Sequence, residues 1–217
     1  MKILFSCVLL LYSYFVCSQT FEGTVTYKME LFNPNPEQIP QATWDAQMKA
    51  SLGEKGYMLQ KYFYKKGNYI SEITAGGEEG YQLYNPKDKL LYAWQKGSGQ
   101  AITSDSTVYP DEIIEVEYLK EKETVLNIEC NIVIIKSKAG TMKLWYNKGY
   151  LKMDASFYQG HAYGHWERML KEIGCLPLKV EQKGYMSHAI QTALSFKEEK
   201  VADAKFKLPS FTNVIAN

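Results

Sequence analysis

Residues 128–146 constrain this chain more than any other stretch. Two runs dense in β-branched and aromatic residues, 128–135 and 141–146, flank Lys136-Ser137-Lys138-Ala139-Gly140, a short polar turn closed by glycine. Such a pattern turns back on itself as a β-hairpin. Ile132, Val133, Ile134 and Ile135 are apolar at four consecutive positions, the mark of a strand covered on both faces. That strand is the expected centre of a sheet.

The rest of the chain extends the same theme. Phe21, Val25, Tyr27, Met29 and Leu31 alternate with Glu22, Thr24, Thr26, Lys28 and Glu30, a strand with one buried and one wet face. Asn33-Pro34-Asn35-Pro36 ends it, because proline donates nothing to a ladder. Trp44, Met48 and Leu52 recur at i, i+4 and i+8 ahead of Gly53, predicting an amphipathic helix. Lys65-Lys66-Gly67-Asn68 and Asn85-Pro86-Lys87-Asp88 have turn chemistry and separate further strands. Gly97-Ser98-Gly99 and residues 103–111 read as loops, residues 113–119 as a strand, and Lys120-Glu121-Lys122-Glu123 as a solvated turn or strand edge. Trp166, Met169, Leu170 and Ile173 predict a second amphipathic helix ended by Gly174. Strands are expected around residues 176–180 and 186–196, with Phe206-Lys207-Leu208-Pro209 as a last short edge. The pattern is α+β: consecutive antiparallel strands with two amphipathic helices.

Compartment decides how the cysteines are read. Lys2 precedes 14 uncharged, mostly apolar residues, 3 to 16. A bilayer span needs roughly 20, so residues 1–18 read as a cleaved secretory signal, cut after Ser18 or after Gln19. Tyr14-Phe15-Val16 lacks the leucine and small residue that lipid modification of Cys17 calls for. Residues 19–217 then form a single periplasmic or secreted domain with no transmembrane span. Losing Lys2 lowers 25 basic residues to 24, against 24 acidic ones. A neutral chain lacks the basic excess of a nucleic-acid binder. Cys7 and Cys17 leave with the signal, and Cys130 and Cys175 remain. In an oxidising compartment that pair predicts a disulfide worth roughly 4 kcal/mol; the alternative is two buried free thiols.

Five short segments carry a family resemblance: residues 21–27 (Phe-Glu-Gly-Thr-Val-Thr-Tyr), Leu126-Asn127-Ile128-Glu129-Cys130, Leu144-Trp145-Tyr146-Asn147, Gly174-Cys175-Leu176-Pro177-Leu178, and Phe206-Lys207-Leu208-Pro209. In order and spacing the chain resembles exported envelope proteins of the LolA-like superfamily, including the GLPGLI-type proteins, though Leu178 stands where those carry glycine. The resemblance implies a curved antiparallel half-barrel with its two helices over the concave face. It also implies carriage of a lipid or acylated protein in the cavity between them.

The candidate lining of such a cavity is Tyr27, Met29, Trp44, Met48, Tyr62, Tyr64, Tyr84, Trp94, Trp145, Trp166 and Met169, an adaptable aromatic and thioether surface. The competing reading is that these residues fill an ordinary core, as in a packed structural or protein-interaction module of the envelope with no small ligand. His161 and His165, with His188 beyond, are weak metal candidates: Gly160 and Gly164 spoil the helix that four-residue spacing requires, and no His-Glu-x-x-His pattern is present. Ser187 and Ser195 lack a nucleophile elbow, no glycine loop cradles phosphate, and no carboxylate pair stands out. The chain reads as a non-enzyme without a cofactor.

Overall fold

The computed structural model describes residues 20–216, in which twelve strands form one sheet ordered β12-β6-β5-β4-β3-β2-β1-β11-β10-β9-β8-β7. From β1 (Gly23–Phe32) the chain passes through helix α1 (Gln41–Leu52) into a meander of β2 (Tyr57–Lys65), β3 (Asn68–Ala75), β4 (Glu78–Asn85), β5 (Leu90–Gln95) and β6 (Gln100–Asp105). Residues 106–112 lead to β7 (Ile113–Val125) on the other wing. The meander returns through β8 (Ile128–Ser137), β9 (Gly140–Tyr146), β10 (Lys179–Gly184) and β11 (His188–Glu198), which pairs with β1. Every pairing is antiparallel except β12 (Asn213–Ala216) against β6.

Turn chemistry fixes the register locally. Lys66 and Gly67 both take positive φ, 44° and 81°, the twist a two-residue hairpin needs to match its strands. Leu126 and Asn127 do the same between β7 and β8, at 52° and 60°. Inward positions of neighbouring strands then fall opposite one another: Tyr62, Ser71 and Gln82 on β2, β3 and β4, and Met29, Gln191 and Val180 on β1, β11 and β10.

Residues 147–178, between β9 and β10, carry the second helix, α2 (Trp166–Ile173), and lie across this inner face. Helix α2 buries Met169, Leu170 and Ile173 and stops where Gly174, at φ 66°, donates its N–H to the Leu170 carbonyl at 2.8 Å. The segment is held at the centre of the sheet and at its β6 end. The Tyr27 hydroxyl donates to the Pro177 carbonyl at 2.9 Å, and the Ala162 and Tyr163 N–H groups reach the Ser106 carbonyl at 2.8 and 2.9 Å. Residues 199–212 cross the opposite face, where Lys205 covers the Phe63 ring and Phe211 meets Trp94, and bring β12 beside β6.

Several expectations are corrected. The sheet is open, with free edges at β12 and β7, and it is not a half-barrel closed by two amphipathic helices. Helix α1 buries only Leu52 and has no side-chain cap at Pro40; its apolar row has the right period, but Trp44 and Met48 border an open hollow and do not pack down on the sheet. Strand β8 is buried at Ile132, Val133 and Ile135 as expected, yet it lies one strand from the edge, and β2 and β1 are central. The charged run 120–123 is exposed on edge strand β7, in keeping with the strand-edge alternative, whereas β6 occupies part of a stretch read as loop and the tail forms a 3-10 turn, Asp203–Phe206, before β12. Cys130 and Cys175 are free thiols, both buried, and the expected disulfide is not formed. Burial pushes the Cys175 thiol up to about 12, so it stays protonated. The expected signal at residues 1–18, with Cys17 and the cut after Ser18 or Gln19, lies outside the described residues.

Candidate functional site

The inner face carries a packed aromatic layer with hollows above it. At its base, Tyr69 stacks on Tyr84 at 5.5 Å, and His161 lies 4.2 Å from the Tyr84 ring. His161 is 1% exposed, and its Nε2 shares a 2.9 Å hydrogen bond with the Tyr69 hydroxyl. Burial pulls its pKa down to about 4, so the imidazole is neutral at physiological pH. Four buried polar atoms in and beside this layer have no protein partner: His161 Nδ1, Tyr158 Oη, Trp166 Nε1 and Ser71 Oγ.

Between this layer, β10, β11 and the start of α2 run two adjoining hollows of about 210 and 80 Å³. They share Tyr62, Gly164, Trp166, Val180, Gln182 and Gln191. The larger adds Met29 and Leu91, the smaller Tyr27 and Met169. None of the residues lining either one is Asp, Glu, Lys or Arg. Burial raises the pKa of Tyr27, Tyr62, Tyr64 and Tyr69, so the phenols are neutral as well. Polarity comes from amides: Gln60, Gln82, Gln182 and Gln191 all line the larger hollow, and Gln191 donates to Gln60 at 2.5 Å.

A third hollow, of about 510 Å³, lies beside α1; Leu31, Phe32, Trp44 and Met48 give it an apolar side, and Asp45, Lys49, Glu54 and His188 a polar one. Strand β1 joins all three. Tyr27, Met29 and Leu31 follow at two-residue steps of about 7 Å along one face and line the 80, 210 and 510 Å³ hollows in turn.

A polar recess of about 120 Å³ opens beside the cleft at Gly164 and Gln182. His165 Nε2 lies 2.9 Å from Asp111 Oδ2 there, and the Ala139 N–H donates to Asp111 at 2.9 Å. Burial alone would raise the Asp111 carboxyl; hydrogen bonds from Ser137, His165 and Ala139 outweigh it and leave it below the usual range. This pair ties the β6–β7 connection to the start of α2.

The sequence-derived cavity residues therefore divide. Tyr27, Met29, Tyr62, Tyr64, Trp166 and Met169 gather at the cleft, and Trp44 and Met48 at the α1 hollow. Tyr84, 1% exposed, sits in the packed layer beneath. Trp94 and Trp145 lie on the opposite face, Trp94 stacked on Tyr81 and Trp145 under Lys143 and Lys179. The histidines stay apart: His161 is bound to Tyr69, His165 to Asp111 and His188 to Glu181. No group of three or more His, Cys, Asp or Glu side chains arranged to hold a metal occurs among the described residues. Sequence reasoning missed the four glutamines, although Gln60 shares the inward parity of Tyr62 and Tyr64.

No protein-family model matches this chain, and no curated protein matches it. A solved structure, that of an uncharacterized conserved protein from Thermus thermophilus, is similar in fold at a TM-score of 0.52 and 10% identity, covering 91% of each chain. Two crystal forms of PNGF-II align at a TM-score of 0.46 and 12% identity, covering 91% of this chain and 31% of that one.

Proposed function

We propose that the protein is an exported envelope protein that binds one uncharged amphiphile non-covalently, an acyl chain attached through an ester or amide, from a lipid or an acylated protein. The observation that carries this reading is the run of three hollows along Tyr27, Met29 and Leu31, two of them lined without a single charged side chain. Drug-sized ligands occupy pockets of roughly 300–1,000 Å³, mostly apolar with a few placed polar groups. The hollow beside α1 is in that range, and its apolar side, Leu31, Phe32, Trp44 and Met48, takes the chain while Asp45, Lys49 and Glu54 stay at its polar side. The glutamine amides and the unpartnered Trp166 indole N–H beside the middle hollow suit a carbonyl-bearing linkage. A carboxylate or phosphate there would lose its hydration and meet no cation, a loss of several kcal/mol.

Titration of the protein with a monoacylglycerol and with the fatty-acid anion of equal chain length, followed by tryptophan fluorescence, tests the proposal. The neutral ligand binds at least tenfold more tightly, and Met29→Lys weakens it while leaving the thermal transition cooperative. Absence of binding by either ligand, or tighter binding of the anion, overturns it.

A further inference from the structure

A single row of paired residues joins the polar recess to the ligand cleft across the inner face. Met142 on β9 pairs with Gln182 on β10, Gln182 with Ala189 on β11, and Ala189 with Leu31 on β1. Met142 and Gln182 line the recess, Gln182 and Ala189 the middle hollow, and Leu31 the hollow beside α1. Three interstrand steps of about 4.8 Å separate Met142 from Leu31, roughly 14 Å in all. A ligand with its chain beside α1 and its linkage in the middle hollow therefore has its remaining part, the headgroup, at the recess.

The recess is polar and held in shape. Gly164 and His165 take positive φ, 63° and 57°, where the chain enters α2, a conformation a histidine keeps only where its surroundings hold it. Here the hold is Asp111; the two side chains are 13% and 10% exposed. A carboxylate has about four acceptor positions. Hydrogen bonds from Ser137, His165 and the Ala139 N–H take three of them at Asp111 and leave one. Gln182 adds an amide that donates to the weakly accepting Met142 sulfur at 3.9 Å, so most of its hydrogen-bonding capacity is left for a ligand. The volume of about 120 Å³ has room for about four waters.

We propose that the recess is the headgroup subsite of the ligand and takes a short uncharged polyol, a glycerol or sugar moiety. The proposal rests on the ligand-binding reading above and deepens it by naming the head. A hydroxyl both donates and accepts, which suits this pair of partners: one hydroxyl donates to the remaining position on Asp111, and another accepts from the Gln182 amide. An anionic head would meet the Asp111 carboxylate, a like charge in a recess where water screens little. Lys183 does not relieve that repulsion, because it follows Gln182 by one residue in β10 and its side chain points to the opposite face of the sheet. An ammonium head has three N–H donors to place, and Asp111 has one position left for them.

Tryptophan-fluorescence titrations with a monoacylglycerol and with the fatty-acid methyl ester of equal chain length test the proposal. The two share chain and ester, and only the first has head hydroxyls. The methyl ester is the more hydrophobic, so transfer from water alone favours it; the wild-type protein nevertheless binds the monoacylglycerol at least tenfold more tightly. Asp111→Asn and, separately, Gln182→Met reduce that preference to threefold or less, with methyl-ester affinity and circular dichroism unchanged. Gln182→Met leaves the His165–Asp111 pair in place, so its result does not depend on how Asp111→Asn folds. Equal affinity for the two esters in the wild type, or a tenfold preference that survives in folded Gln182→Met, overturns the headgroup subsite and leaves the chain-binding reading standing. Binding of neither ester removes both.

Discussion

His161 gives the sharpest test of the aromatic layer. Its imidazole is buried with one nitrogen on Tyr69 and the other unpartnered, and its folded-state pKa is about 4 against an ordinary 6.5. A depressed histidine pKa means that the unfolded chain takes up a proton that the folded chain refuses. Stability is therefore unaffected above pH 6.5 and falls as pH drops from 6.5 towards 4. From pH 7.5 to pH 5 the loss works out at about 2 kcal/mol from this residue alone. Carboxylates such as Asp111 and Glu167, whose pKa values are lowered by hydrogen bonds, add a loss of the same sign at lower pH. Urea unfolding at pH 7.5, 6.5, 5.5 and 5 should be run on the wild type and on His161→Gln, which keeps a polar group near Tyr69 and does not titrate. The variant is expected to be less stable at pH 7.5 and to lose about 2 kcal/mol less over that range. Parallel stability curves for the two proteins would refute the assignment of a buried neutral imidazole.

Three further outcomes follow from packing. Gly23→Ala places a methyl group 2.0 Å from the Lys197 carbonyl oxygen across the β1–β11 ladder; it should cost about 3 kcal/mol or more, and a shift in melting temperature near zero would contradict that close approach. Tyr27→Phe removes the hydroxyl that donates to the Pro177 carbonyl; chemical denaturation should show a loss of about 1–3 kcal/mol, and an unchanged midpoint would deny the bond. A chain beginning at Gln19 should be inert to a thiol reagent when folded and react with two equivalents once unfolded without reductant, because Cys130 and Cys175 are buried and free; no reaction until reductant is added would restore the disulfide.

Local signals were legible and long-range ones were not. Lys66-Gly67 and Gly174 marked turn and helix end through backbone geometry alone, and the alternation in β1 fixed which of its side chains face inward. Strand order depends on pairings such as Gly23 with Glu198, which no short window contains, so β8 read as central from its unbroken apolar run. Trp94 looked equivalent to Tyr84 by composition, but β5 presents Leu91 to the inner face and Trp94 to the other. Trp44, Met48 and Leu52 have helical spacing whether or not a surface lies beneath them, and here only Leu52 is buried. The glutamines escaped notice because an amide in a strand reads as solvated until the opposite face is known.

The most direct test of the ligand-binding account is mass spectrometry of organic extracts from protein purified without detergent from the cells that make it, beside a Met29→Lys sample handled identically. The account predicts a near-stoichiometric neutral ester- or amide-linked lipid in the first sample and its depletion in the second. Native protein that carries no extractable lipid, or equal amounts in both samples, contradicts it.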